Sequence, residues 1–327
     1  MPEPLSHRVK ERSPNRRMAV TVCVAAMCEE NTLLGASDRM LTAGDVEFEP
    51  TTTKIYSITN SNVVMIAGES SLQIEILQRL YAFVAQRLKD MPNEWVPTGD
   101  IAIEYHRIYQ NIKSTRAERR ILNPLGLTVD TFVKRQNELS PHIAKDLTSE
   151  ILNFEMPAIE AIVTGVDGNG AHIYLVGNSE VNCRDAIGFA AIGAGYWHAN
   201  SQFMFAGHTR NKPLPETLLL TYAAKKRAEV APGVGQATDM FTMGPRPGSY
   251  VAIHPEVIED VDKIYRRTRT RATRSVKTAN QEVNKYVEQL GKAAAAQEQK
   301  TAAPNPTEKP NGKDTSGEES SGTGKPN

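Results

Sequence analysis

Four residues stand at the ends of short apolar stretches early in the chain: Thr21, Asp38, Lys54 and Gly68. They supply a hydroxyl, a carboxylate, an amine and a backbone position without a side chain. Other catalytic signatures are missing. There is no GxxxxGK run followed by Ser or Thr, hence no P-loop and no intrinsic ATPase. There is no HExxH, and the seven histidines are scattered without metal-ligand spacing. No GxSxG elbow occurs, and a histidine-based triad lacks a marked Ser or Cys partner. No metal or other cofactor is implied. The constellation that stands out is Thr21, Asp38, Lys54 and Gly68.

The hydrophobic pattern predicts the elements that carry them. Ala19–Cys28 (AVTVCVAAMC) is apolar and β-rich, a buried strand with Thr21 near its start. Glu29–Asn31 makes a turn, and Thr32–Ser37 returns as a second strand that ends beside Asp38. Lys54–Ile58 and Asn62–Ala67 form two more strands, the second ending at Gly68. The period then becomes helical: Leu72, Ile76, Leu80, Phe83, Val84 and Leu88 share one face of a helix over Ser70–Asp90. A second helix opens at Pro97–Asp100 and runs to Leu122.

Residues 123–155 read as an insertion with a helix at Ser140–Leu152. Strands return at Ala158–Val166 and His172–Val176 around the hairpin signal Asp167-Gly168-Asn169-Gly170, and again at Ala186–Gly193. Helices at 195–206 and 214–230, a strand at Ala237–Met243 and a long helix from Pro255 to Leu290 complete the order. Strands and helices come in blocks rather than in βαβ alternation. That predicts an α+β fold with antiparallel sheets and helices packed in pairs outside them.

The ends differ from the middle. Residues 291–327 lack aromatic and β-branched aliphatic residues and are rich in Pro, Gly, Ser, Lys and Glu, which predicts a disordered tail. Residues 1–17 read as a disordered extension, leaving a domain at 18–290. The 38 basic and 38 acidic residues give zero formal net charge, so neither nucleic acid nor an anionic membrane is an expected partner. The basic run Lys263–Lys277 lies on one helix and reads as a solvated or subunit-contacting face. No run of 18 apolar residues exists and the N-terminus lacks a signal-like apolar stretch. Three cysteines without a CxxC fit a reducing cytoplasm; Cys23, Cys28, Met240 and Met243 read as core.

TVCVAAMCEENTLLGASDRMLTAG, TTTKIYSI and NVVMIAGESSLQIEILQRL together resemble the first third of a proteasome β-type subunit, and are similar to the HslV peptidase and the proteasome-like Anbu proteins. AIVTGVDGNGAHIYLV, AAIGAGYWHANSQF and LPETLLLTYAAKKRAEVAPGVGQATDMFTM extend the resemblance across residues 18–255. It implies a four-layer αββα sandwich of the N-terminal-nucleophile type, assembled into a homo-oligomeric ring that cleaves peptides or unfolded proteins. Thr21 would be the nucleophile once residues 1–20 are removed, its α-amine accepting the hydroxyl proton. Lys54 would favour the neutral amine and the developing alkoxide, Asp38 would hold Lys54, and the Gly68 N–H would donate to the oxyanion. Any ATP dependence would need a separate unfoldase.

The sequence also departs from that pattern. Val20 replaces the usual Gly before the nucleophile, and the Thr-to-Asp interval is one residue longer. Ala194 stands in the place of a supporting Ser and Glu229 in that of a supporting Asp. A non-catalytic ring or scaffold subunit, and an amidase acting on a small substrate, are the alternative expectations.

Overall fold

The computed structural model describes residues 21–43 and 46–301; the expected extension 1–17 and residues 302–327 of the expected tail lie outside them. The chain divides into two compact units, Met1–Arg266 and Arg267–Asn327.

The first unit begins with strands β1 (Cys23–Cys28), β2 (Thr32–Ser37), β3 (Leu41–Ala43), β4 (Val46–Phe48), β5 (Ile55–Thr59) and β6 (Asn62–Gly68). Helices α1 (Ser70–Asp90), α2 (Thr98–Ala117), α3 (Val129–Arg135) and α4 (Pro141–Leu152) follow. Next come β7 (Ile159–Asp167), β8 (Gly170–Val176), β9 (Val181–Cys183) and β10 (Phe189–Ile192). The order closes with α5 (Tyr196–Phe205), α6 (Leu214–Ala228), β11 (Asp239–Met243), β12 (Val251–Ala252) and α7 (Pro255–Thr301).

The fold is α+β. One antiparallel sheet has the order β10-β1-β2-β11-β12 and the other β5-β6-β7-β8-β9. Strand periodicity assigns the layers. On β1, Cys23, Ala25 and Met27 meet Val63, Met65 and Ala67 of β6 in a core between the sheets. The alternate residues Val22, Val24 and Ala26 pack with Ala199, Phe203, Leu220 and Ala224 of α5 and α6. On β6, Val64 and Ile66 pack with Leu72, Ile76, Tyr105 and Ile108 of α1 and α2. Each central strand is thus buried on both faces, which is why these segments are apolar without polar alternation.

The predicted α1 has the observed bounds, and most other predicted elements shift by a few residues at their ends. The sequence reading left out the β3–β4 hairpin and the short edge strands β9 and β12. It also left residues 123–139 without structure. There Thr128 and Thr131 form a capping box at the start of α3, and Leu122, Phe132 and Leu147 make a small core of their own. The regular α2 ends at Ala117 and a wider π turn, Glu118–Leu122, completes the span.

At the end of the first unit, Val261 of α7 packs with Ala36, Tyr222 and Met240, and the Tyr222 hydroxyl donates to Asp262 at 2.8 Å. In the second unit the described residues are helical from Arg267 to Thr301. The helix therefore continues past Leu290, where the tail was expected to begin. Its AAAA stretch has the highest intrinsic helix propensity and needs no buried face to favour the helix. Among the described residues no helix is long and apolar enough to cross a membrane.

Candidate active site

Antiparallel register places the first two side chains. Cys23 on β1 lies opposite Ser37 on β2, so Thr21 and Asp38 fall at the same end of that pair. The Asp38 N–H donates to the Val22 carbonyl at 3.2 Å and extends the ladder by one bond. In the other sheet Ile55 lies opposite Met65, and the Ile66 N–H reaches the Lys54 carbonyl at 3.3 Å. Lys54 thus enters from the second sheet at the edge of the intersheet core.

The three side chains meet in the interior. Thr21 is 2% exposed, Asp38 0% and Lys54 6%. Lys54 Nζ donates to Asp38 Oδ1 at 2.9 Å and also to Thr21 Oγ1, while Thr21 Oγ1 donates to Asp38 Oδ1. The carboxylate is held further by backbone donors: Val22 N at 3.0 Å on Oδ1, Gly235 N at 2.8 Å and Met40 N at 3.2 Å on Oδ2. Five donors fix the Asp38 carboxylate in place. An ammonium touching Thr21 Oγ1 favours a developing alkoxide there.

The nearby thiol is not a competing nucleophile. Cys23 lies in the intersheet core with its Sγ directed at the Ile66 carbonyl, 3.4 Å away. Burial pushes its pKa far above the ordinary thiol value, so the nucleophilic thiolate is suppressed.

Two glycines border the site for steric reasons. Gly193 has φ +83°, and a Cβ there would lie 2.4 Å from the Thr21 carbonyl oxygen. Gly195 N donates to that same carbonyl at 3.3 Å, so the Gly193–Gly195 turn clasps Thr21. Gly68 ends β6 with φ +112°, where a Cβ would lie 2.4 Å from the Ala158 carbonyl oxygen. It lies two residues past Ile66, the strand neighbour of Lys54, and is exposed.

The two supporting positions sit differently. Ala194 is flanked by residues that touch Thr21, but its own methyl packs against the apolar cluster under α5 and α6. Glu229 caps α6 and holds Lys225 at 2.6 Å and Lys226 at 2.7 Å. It meets the site only through Lys225, whose Nζ also donates to the carbonyls of Gly235 (3.0 Å) and Gln236 (2.9 Å). The Gly235 N–H then binds Asp38. Burial lowers the Lys225 pKa, and the Glu229 carboxylate opposes that shift.

Sequence reasoning missed Lys225. The signal was its position: it lies on the buried face of α6 with Thr217, Thr221, Ala224 and Ala228, where a lysine needs a partner. It also missed Glu160 on β7, whose Oε2 accepts from Gly193 N at 2.9 Å. Among the described residues no group of His, Cys, Asp or Glu is arranged to hold a metal ion. Compared with protein-family models and with curated proteins, the chain matches none.

Proposed function

We propose that the protein is a threonine-type peptidase of the N-terminal-nucleophile class, working as a cytoplasmic, self-compartmentalising homo-oligomeric ring on peptides or unfolded proteins. One observation carries the reading: the buried Thr21 hydroxyl is held between the Lys54 ammonium and the Asp38 carboxylate. A threonine leading into a strand has no structural need for a buried ion pair at its Oγ.

In this mechanism removal of residues 1–20 frees the Thr21 α-amine. The neutral amine takes the proton from Oγ1, and Oγ1 attacks the scissile carbonyl carbon. Lys54 stabilises the oxygen while it carries negative charge. The oxyanion of the tetrahedral adduct receives the Gly68 N–H. Collapse breaks the C–N bond, the leaving amine takes the proton from the α-ammonium, and an ester to Thr21 remains. Water activated by the α-amine then attacks that ester and returns Oγ1 to its starting state.

A non-catalytic ring subunit is the competing reading, favoured by Val20 before the nucleophile and by Ala194 in place of a hydroxyl side chain. Intact-mass analysis of the purified assembly separates the two. Thr21 as the first residue supports the peptidase, and a persistent residue 1–20 segment supports the scaffold.

A further inference from the structure

We infer that Glu160 selects the substrate: the site takes peptides carrying a lysine or arginine side chain next to the scissile bond. The inference rests on the peptidase reading and adds the substrate class.

Glu160 lies opposite Ala67 in the β6–β7 ladder, one residue after Ile159, the register partner of Gly68. On its other side its Oε2 accepts the Gly193 N–H, in the turn that clasps Thr21. One carboxylate therefore borders both the strand end that would bind the oxyanion and the turn that holds the Thr21 backbone carbonyl. Ala67, its register partner, belongs to the same intersheet cluster as Cys23, two residues after Thr21, which places Glu160 at the same end of the intersheet space.

The neighbouring charges make this position distinctive. Asp38 is neutralised by Lys54, and Glu229 by Lys225 and Lys226. Glu160 is exposed, and among the described residues no cation pairs with it. The Gly193 N–H occupies one of its two oxygens, which leaves acceptor capacity for an incoming group. A substrate ammonium or guanidinium would supply the missing partner through a charge-assisted hydrogen bond. An acidic side chain there would meet a fixed like charge, which discriminates against it.

The test uses the full chain processed to a Thr21 start. Two peptide series vary Lys, Leu or Glu, one series on each side of the scissile bond. The expected result is a kcat/KM for the Lys peptide about tenfold or more above those for Leu and Glu in one series. Glu160→Gln keeps an acceptor for Gly193 N but removes the charge, and should bring the Lys-to-Leu ratio to about one. Glu160→Lys should shift the preference to the Glu peptide. Cleavage with no charge preference, or a preference that survives in Glu160→Gln, overturns the inference and leaves the peptidase reading standing. No cleavage of any peptide by any form overturns both.

Discussion

Lys54 Nζ lies 2.9 Å from Asp38 Oδ1, and neither side chain has appreciable contact with solvent. A buried pair of this kind is weak evidence for stability, because desolvation offsets much of the attraction. Its value lies in the shared contact of both groups with Thr21 Oγ1.

Removing one partner should therefore be costly twice. Lys54→Met leaves Asp38 buried with its backbone donors but no counter-charge. We expect a loss of about 3 kcal/mol in unfolding free energy, read by urea denaturation. Turnover should fall about a thousandfold, and Asp38→Asn combined with Lys54→Met should lose little more than either alone, because the groups act as a unit. Additive losses in turnover would show that the two side chains act separately.

Lys225 supports Asp38 from behind through the Gly235 loop. Lys225→Met should release that loop and lower kcat about tenfold with little change in KM, since no substrate contact is removed. A crystal structure of the variant should show the Gly235 N to Asp38 Oδ2 contact, now 2.8 Å, broken. An intact contact with unchanged kcat would reduce Lys225 to a local fastening of α6.

Gly193→Ala combines a left-handed backbone with a methyl 2.4 Å from the Thr21 carbonyl oxygen. The strain is on the order of 1–3 kcal/mol, and it acts on the residue proposed to carry the nucleophile. Thermal unfolding should shift downward, and release of residues 1–20 should slow. Gly126→Ala, at φ +72° with open space around it, is the control for backbone strain alone.

The β7–β8 hairpin gives a pH signature independent of catalysis. His172 Nδ1 lies 2.7 Å from Asp185 Oδ2, and its Nε2 is 3.3 Å from Asp167 Oδ1. The hydrogen bond to Asp185, with the nearby Asp167 charge, raises the His172 pKa above its usual 6.5. A raised folded-state pKa means the stabilisation is complete below pH 6.5 and is lost as pH rises through the higher folded value. Unfolding free energy measured from pH 6 to pH 9 should fall across that window, and His172→Gln should flatten the dependence.

For the ring assembly we propose, α5 offers an exposed apolar surface. Trp197, Met204 and Phe205 on α5 are 65%, 59% and 89% exposed. We expect light scattering at micromolar concentration to report six or more chains, and Phe205→Glu to reduce the mass. A monomeric wild type would count against compartmentalised proteolysis.

Most of the strand order was legible because both faces of the central strands are buried, which writes continuous apolar runs such as VCVAAMC and NVVMIA into the sequence. Thr21, Asp38 and Lys54 were legible because each sits within two residues of such a run. Lys225 could have been read from its place on the buried face of α6. Glu160 and Gly235 could not: their contacts, Glu160 with Gly193 and Gly235 with Asp38, join positions far apart in sequence, and periodicity carries no information about which loop reaches which. The β3–β4 hairpin is short and lies outside both large sheets, so it leaves no core pattern to read.

Peptide hydrolysis by protein starting at Thr21 tests the central claim most directly. The account predicts cleavage of a fluorogenic peptide by that form and loss of cleavage in Thr21→Ala, whose strand burial and assembly should be unchanged. If the Thr21-first protein is folded and assembled yet cleaves no peptide, the peptidase account is contradicted.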